Sequence, residues 1–381
     1  MRYDKIMELE IVVFDFEGTN ALGQLRTYGK MGYKPSLVLI CADSTPHYIH
    51  KCKYIEHIYV KPTIEEGLSF LLREYSKCTI PVVVSSGSDI VISALDKIYD
   101  TISSHFIFYN AGEQGRLSSF MEKEALRELA IRSGLNAPSA KVVKVGSLPQ
   151  DLSYPVITKA ANSNMHNWKS VSYICKSENE LLKAYKKIGT SEIIVQEYVE
   201  KKNEYILQGV SYNNGKQVFI PLEGYYYRII PGRYACYLYF QKYSGRKYGE
   251  VCDMIRKIGY NGIFEIEFLV DKNDELQFLE INFRQTAWNH TFYKMGVCLE
   301  QIWIDSQCKS DYCVPEYEIR HRFNLMDGLA DFQLSVKDSK MSILHWIKDL
   351  IKTDGFMILD FADPRPFLAQ IFFLIKRKLI K

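Results

Sequence analysis

The chain is 381 residues long, 47% hydrophobic and 24% charged, with a formal net charge of +3. That length allows two or three packed units, and the composition is that of an ordinary globular protein. The charge is too small for the size to imply nucleic acid as a partner, and no apolar run approaches the ~20 residues that span a bilayer. Nine scattered cysteines, without CxxC pairs or zinc-type spacing, predict free thiols in a reducing compartment. With no secretion-signal pattern at the N-terminus, a cytoplasmic location is expected.

In chain order, Leu9 to Phe16 is predicted as a buried strand, followed by a turn at Glu17-Gly18 and a helix from Asn20 to Lys30. Ser36 to Ile40 is the next strand, Glu65 to Tyr75 a helix, Ile80 to Val84 a strand, Ser88 to Tyr99 a helix and Phe106 to Tyr109 a short strand. Apolar strands alternating with helices of this length predict parallel βαβ units in an open sheet. Gly18 and Gly23 do not form GxGxxG, and no acidic residue closes the second strand. A nicotinamide site is therefore not expected; the strand ends are expected to line a substrate cleft instead.

Ser119-Phe-Met-Glu122 has the capping-box pattern and predicts a helix running to about Ser133, closed by Gly134. From about residue 140 the text changes to paired strands: Val171 to Cys175, Ile193 to Gln196, Tyr205 to Val210 and Val218 to Leu222. Asn213-Asn-Gly215 is a hairpin-turn signal, and helices are predicted at Glu178 to Ile188 and Gly249 to Ile258. A mixed α+β unit thus follows the α/β unit. Beyond about residue 310 the pattern is less regular. Leu344 to Ile351 is a short amphipathic helix, and Asp363-Pro-Arg-Pro366 breaks the chain before a final apolar-then-basic helix.

The segment from Gly259 to Arg284 carries the chemistry. Ile263 to Val270 alternates so that Glu265 and Glu267 share one strand face. Asp271 to Glu275 is a polar turn, and Leu276 to Asn282 returns as a strand with Glu280 and Asn282 on one face. A hairpin of this kind brings Glu267 to the Glu280/Asn282 pair. Two carboxylates and an amide oxygen suit Mg²⁺, which keeps some waters and completes its shell with nucleotide phosphates. The alternative is a solvated sheet edge with its charges in water.

Glu267 with Leu279-Glu-Ile-Asn-Phe-Arg284 resembles the signature of the ATP-grasp superfamily. The resemblance implies that Glu267, Glu280 and Asn282 hold Mg²⁺ (Mn²⁺ being the alternative) bridging ATP phosphates. It also implies that Arg284 lies near the transferred phosphoryl group. Upstream, Phe120-Met-Glu-Lys123 and Tyr154-Pro-Val-Ile-Thr-Lys159 are similar to the family's two phosphate-binding lysine segments, which implies that role for Lys123 and Lys159. Val195-Gln-Glu-Tyr-Val-Glu200 followed by Glu204 resembles the adenine hinge. The implied contacts are Glu197, Tyr198 and Val199 to the adenine edge and Glu204 to the ribose. The match covers about residues 115 to 300. The implied architecture is an α/β plus α+β chain, with an N-terminal open parallel-sheet domain (1–115), a two-lobed ATP-grasp domain (116–310, small lobe about 140–200) and a C-terminal extension (311–381).

One departure from the family is the loop after Lys159, Ala160 to Lys169, which has no glycine; Ser163, Asn164, His166 or Lys169 are its candidates for covering phosphates. A second cluster, Gly224-Tyr-Tyr-Tyr-Arg228 with Gly232-Arg233-Tyr234, Tyr237, Tyr239 and Tyr243, has two readings. Arg228 and Arg233 bind a substrate carboxylate or acyl phosphate in bidentate fashion, or the cluster is a tyrosine-rich β surface. The resemblance implies an ATP-dependent carboxylate–amine ligase acting on small-molecule carboxylate and amine substrates through an acyl phosphate; the glycine-free loop keeps a non-catalytic or regulatory ATP-binding module as the alternative. The closing segment is similar to the tails of family members acting on cell-wall or surface-polysaccharide precursors. A peripheral membrane contact through Phe372, Phe373 and the terminal basic residues fits it; so does a core-docking helix with a solvated basic end.

Overall fold

The computed structural model describes residues 7–42, 48–160, 171–230, 236–319 and 321–379, the side chains of 377–379 excepted. It begins with β1 (Glu10–Phe16), α1 (Thr19–Lys30), β2 (Ser36–Ile40), β3 (Ile58–Lys61), α2 (Ile64–Tyr75), β4 (Val82–Ser85), α3 (Asp89–Asp96), α4 (Tyr99–Ile102) and β5 (Phe106–Ile107). The strands pair in parallel in the order β3-β2-β1-β4-β5. Val12, Val13 and Phe14 on β1, and Leu37, Val38 and Leu39 on β2, are all fully buried. Apolar text on both faces is what a parallel strand covered on both sides requires. Thr63 and Ser88 accept from the first-turn amides of Glu66 (3.2 Å) and Val91 (3.5 Å), capping α2 and α3. Strand order reverses between β1 and β4, so their C-terminal ends open a crevice, the usual ligand position in such sheets. Asp15 sits at its floor and accepts from the amides of Gly87 (2.7 Å) and Phe16 (2.8 Å).

The next elements are α5 (Arg116–Phe120), α6 (Lys123–Arg132), β6 (Ala140–Lys144), β7 (Val156–Ala160), β8 (Ile174–Cys175), α7 (Glu178–Tyr185) and β9 (Glu192–Glu197). The strands form an antiparallel sheet ordered β6-β9-β7-β8. The expected capping box does not form. Ser119 lies inside α5 and its hydroxyl donates to the Arg116 carbonyl at 2.7 Å, so α6 starts at Lys123 without a side-chain cap. The strand expected over 171–175 contracts to β8, because the Thr158 hydroxyl donates to the Val171 carbonyl (2.5 Å) and accepts from the Tyr173 amide (2.9 Å). One side chain thereby occupies backbone groups that a longer ladder would use.

A second large sheet follows, from β10 (Asn203–Tyr212), β11 (Gln217–Tyr226), β12 (Tyr237–Lys242), α8 (Tyr248–Ile258), β13 (Gly262–Val270), β14 (Leu276–Asn282), α9 (Asn289–Phe292), α10 (Leu299–Cys308), β15 (Phe323–Met326), α11 (Gly328–Asp331), α12 (Ile343–Ile351), β16 (Gly355–Phe356) and α13 (Arg365–Leu379). Its order is β14-β13-β10-β11-β12-β15-β16. Asn213, Asn214 and Gly215 all have positive φ (53°, 52° and 72°), as the predicted hairpin turn demands. Gly209 lies at the bulge of β10, where a Cβ would stand 2.4 Å from the Phe264 ring. The C-terminal segment returns to the N-terminal sheet. Arg26 on α1 bonds Asp363 (3.0 Å) and the carbonyls of Ile358 and Asp363, with both charged side chains fully buried.

Candidate active site

The hairpin of β13 and β14 arranges its polar groups in rows across three strands. Glu267 stands directly opposite Glu280, and Ile206 of β10 continues that row. One step along, Glu265 opposes Asn282, and Gln208 continues that row. The alternation of β13 and β14 fixes the face, and a bulge after Glu267 restores pairing beyond it. The Asn282 amide nitrogen donates to Glu265 and Glu267, 3.2 Å each, and its oxygen accepts from Arg284 at 3.0 Å. Glu265, which the sequence placed only on the shared face, is a member of the site. The residue is 6% exposed, and its carboxylate accepts from the Thr286 hydroxyl (3.2 Å) and the Gln208 amide.

Desolvation and mutual repulsion outweigh the positive charge near these carboxylates. Burial pushes the Glu265 carboxyl up to about 7. Burial, then the neighbouring Glu280 and Glu265, holds Glu267 well above the ordinary carboxylate range. Burial also raises Glu280, against the pull of Lys123, Lys159 and Arg284. Carboxylates crowded in this way, with Glu265 buried and Glu267 half-buried, call for a cation. Among the described residues no three of His, Cys, Asp and Glu form a metal cage on their own. The donor set of Glu267, Glu280 and Asn282 fits an ion that takes most of its shell from phosphates and water, as Mg²⁺ does.

Facing Glu280 is a narrow cleft. Lys123, Leu126 and Arg127 of α6, Lys159 of β7, Ile194 and Gln196 of β9 and Phe278 of β14 line it, so its lining combines apolar and cationic side chains. Burial lowers Lys159 to about 8, reinforced by Lys123 and opposed by Glu280 and Glu204. A buried amine beside another amine is poised to receive anions. Arg284, beyond Asn282, makes a bidentate pair with Asp89 in the first turn of α3 (2.9 and 3.2 Å). Lys123, Lys159 and Glu280 thus meet in one cleft, with Glu267, Asn282 and Arg284 adjoining Glu280 on the strand face.

No protein-family model matches the sequence. The N5-carboxyaminoimidazole ribonucleotide synthase of Staphylococcus aureus (strain COL) is 25% identical over 293 residues, covering 74% of this chain and 72% of that one. Among solved structures, N5-carboxyaminoimidazole synthetase from Staphylococcus aureus superposes with a TM-score of 0.64 at 16% identity, over 89% of this chain and 88% of that one. L-amino acid ligase from Bacillus licheniformis gives 0.64 at 14% identity, over 83% and 79%. The biotin carboxylase domain of Hydrogenobacter thermophilus 2-oxoglutarate carboxylase, solved with MgADP, ADP and bicarbonate, gives 0.65 at 16%, over 83% and 73%. The fold the chain shares with these structures is the ATP-grasp fold.

Set against the ATP-grasp expectation, the structure brings Lys123, Lys159, Glu267, Glu280, Asn282 and Arg284 together. Glu204 is buried at the edge of this group, paired with Lys201, and its charge reaches Lys159 and Glu267. At the hinge, Glu197 accepts from the Ser153 amide (3.1 Å), and the amides of Glu197 and Tyr198 donate to the carbonyls of Ser139 and Pro155 (2.8 Å each). These bonds fix the end of β9, and Val199 lies half-buried just beyond it. Arg228 departs from the substrate-binding expectation. Its guanidinium is held by Asp331 (2.6 Å), Ser335 (2.9 Å) and Asp349, all buried, so its donors tie the C-terminal helices to β11. The tyrosines form a packed ladder, Tyr225 stacking on Tyr239 and Tyr227 against Tyr237. Arg233, Tyr234 and loop residues Ser163, Asn164, His166 and Lys169 lie outside the described residues. The sequence pattern does not point to Arg127, Ile194 and Phe278 as cleft walls; the placement of α6 and the register of β9 and β14 bring them there.

Proposed function

We propose that the protein is an ATP-dependent carboxylate–amine ligase of small-molecule metabolism that activates its carboxylate as an acyl phosphate. The observation that carries this reading is the Glu267–Glu280 row facing Lys123 and Lys159 across the cleft, with Arg284 two residues beyond Asn282. In this reading residues 116–310 hold the nucleotide, with adenine against Leu126, Ile194 and Phe278 and phosphates toward the lysines. Glu197, Tyr198, Val199 and Glu204 frame the adenine and ribose end. Glu267, Glu280 and the Asn282 oxygen would hold Mg²⁺, which supplies charge neutralisation at the phosphates. For that oxygen to face a cation the Asn282 amide must turn over, because its nitrogen now bridges the two carboxylates. The turn releases Arg284 from the Asn282 oxygen and leaves a guanidinium fork for the charge that develops on the transferred phosphoryl group. The carboxylate substrate attacks the γ-phosphorus and ADP leaves; the amine then attacks the acyl carbon and phosphate leaves.

The acceptor class follows the relatives, whose names are those of small-molecule enzymes, rather than the cell-wall precursor expected from the closing segment. The test is phosphate release from Mg-ATP across pairs of small carboxylates (bicarbonate and amino acids first) and amines, with wild type beside Glu280→Gln. Release is expected only when both substrates are present, and the variant is expected to lose on the order of 100-fold or more. Equal rates for the two proteins would refute the site. ATP binding with no release for any pair would refute the ligase reading.

A further inference from the structure

Helix α12 is built the wrong way round for a protein surrounded only by water. Its polar Asp349 is buried and holds Arg228. Trp346 donates to Asp331 (2.9 Å) and packs edge-on against Phe332. The opposite face presents Ile343, Leu344, Ile347 and Ile351 to solvent, with Leu344 74% and Ile351 78% exposed. A surface helix ordinarily buries its apolar stripe and exposes its charges. The anchors of α12 instead hold the apolar stripe outward.

Helix α13 repeats the pattern. Pro366 is buried and Phe367 packs on the main core, which docks the first turn. Further along, Leu368, Phe372 and Ile375 share one face at helical spacing and are exposed, Phe372 by 70%. Phe361, in the link between the two helices, is 83% exposed. Charge is distributed to match. Residues 336–381 hold nine Lys and Arg against five Asp, whereas the other 335 residues hold 39 against 40. Three of those five aspartates, Asp349, Asp360 and Asp363, are spent in pairs with Arg228, Lys30 and Arg26. Lys348, Lys352 and Lys376 stand exposed beside the apolar residues.

We propose that the C-terminal extension is an interfacial docking device for an anionic lipid surface, independent of the ligase assignment. Apolar side chains with flanking cations are what a helix lying in a lipid headgroup layer requires. A second copy of the chain fits less well, since face-to-face contact would bring two basic rims together. No helix among the described residues is long and apolar enough to cross a membrane, so the contact is peripheral.

The test is co-sedimentation of the full chain with vesicles of phosphatidylcholine alone or with one third phosphatidylglycerol. Binding is expected to be at least about tenfold tighter to the anionic vesicles and to fall steeply as salt rises. Replacing Leu344, Ile351, Phe372 and Ile375 together by Gln should lower it by at least about tenfold, while phosphate-release activity in solution is retained. Lys348→Gln with Lys352→Gln and Lys376→Gln should remove the anionic preference. Absence of wild-type binding to both vesicle types would overturn the proposal. So would self-association in solution that the Gln substitutions abolish without any lipid binding.

Discussion

Replacing Glu265 by Gln is expected to stabilise the nucleotide-free protein at pH 8 and to do so much less at pH 5. The Glu265 carboxyl titrates near 4.5 when solvated and is pushed by burial to about 7 in the fold. A carboxyl raised on folding binds more protons in the native state than in the unfolded one. Stability is therefore full below about pH 4.5, falls as the pH rises to about 7, and stays low above it. That shift corresponds to roughly 3 kcal/mol. Gln has the same shape without the charge, and its extra N–H group has an acceptor available: the Gln208 side-chain oxygen is buried without a partner. Turning over the Gln208 amide would bring that oxygen to the new N–H group, in exchange for the bonds its nitrogen now donates to Glu265 and Thr286. Urea denaturation at pH 5, 6, 7 and 8 is the assay. The stability difference should grow from under about 1 kcal/mol at pH 5 to about 3 kcal/mol at pH 8, and saturating Mg-ADP should shrink it by adding positive charge. A difference independent of pH, or a wild type more stable at pH 8, would refute the reasoning.

Lys159, lowered to about 8 by burial, should regain a proton when phosphates arrive. Calorimetric titration with ADP, without divalent cation, in buffers of differing ionisation enthalpy should show uptake of roughly half a proton at pH 8 and almost none at pH 6.5; Lys159→Met should abolish the uptake. Arg228→Ala should cost about 3–5 kcal/mol, because it strands Asp331 and Asp349 as buried, unpaired charges. Denaturation read beside KM checks this: a stability loss with KM unchanged is expected, and near-wild-type stability with a raised KM for the carboxylate would restore a substrate role.

The site was legible where its logic is local. Alternation within two short strands placed Glu265 and Glu267 on one face and Glu280 and Asn282 on another, and register then made those faces one. What alternation could not supply was the burial of Glu265, which comes from Gln208 on a third strand and from Thr286 beyond the hairpin. Arg228 shows the same limit from the other side. An arginine beside tyrosines looks alike whether it binds substrate or structure, and its partners Asp331 and Asp349 lie 103 and 121 residues away. The strands that escaped notice are half-solvated. In β6 the exposed Val142 and Lys144 alternate with partly covered neighbours, and β3 is a four-residue edge strand. The parallel sheet was readable because strands buried on both faces leave continuous apolar text.

Arg284 also links the two halves of the proposed chemistry. Its guanidinium faces the carboxylate row through Asn282 and, at the same time, grips Asp89 in the first turn of α3. Asp89 stands beside the crevice where the N-terminal sheet reverses strand order, and the charge of Arg284 reaches Asp15 on the crevice floor. An acceptor bound at the strand ends would therefore sit next to the arginine that meets the activated group. In the proposed reaction the N-terminal sheet would then position the second substrate relative to Arg284. The buried Arg26–Asp363 tie holds the C-terminal segment against that sheet. A pair with both side chains fully buried contributes little net stability over an apolar replacement, but it fixes where α1 lies, and α1 forms one wall of the same crevice.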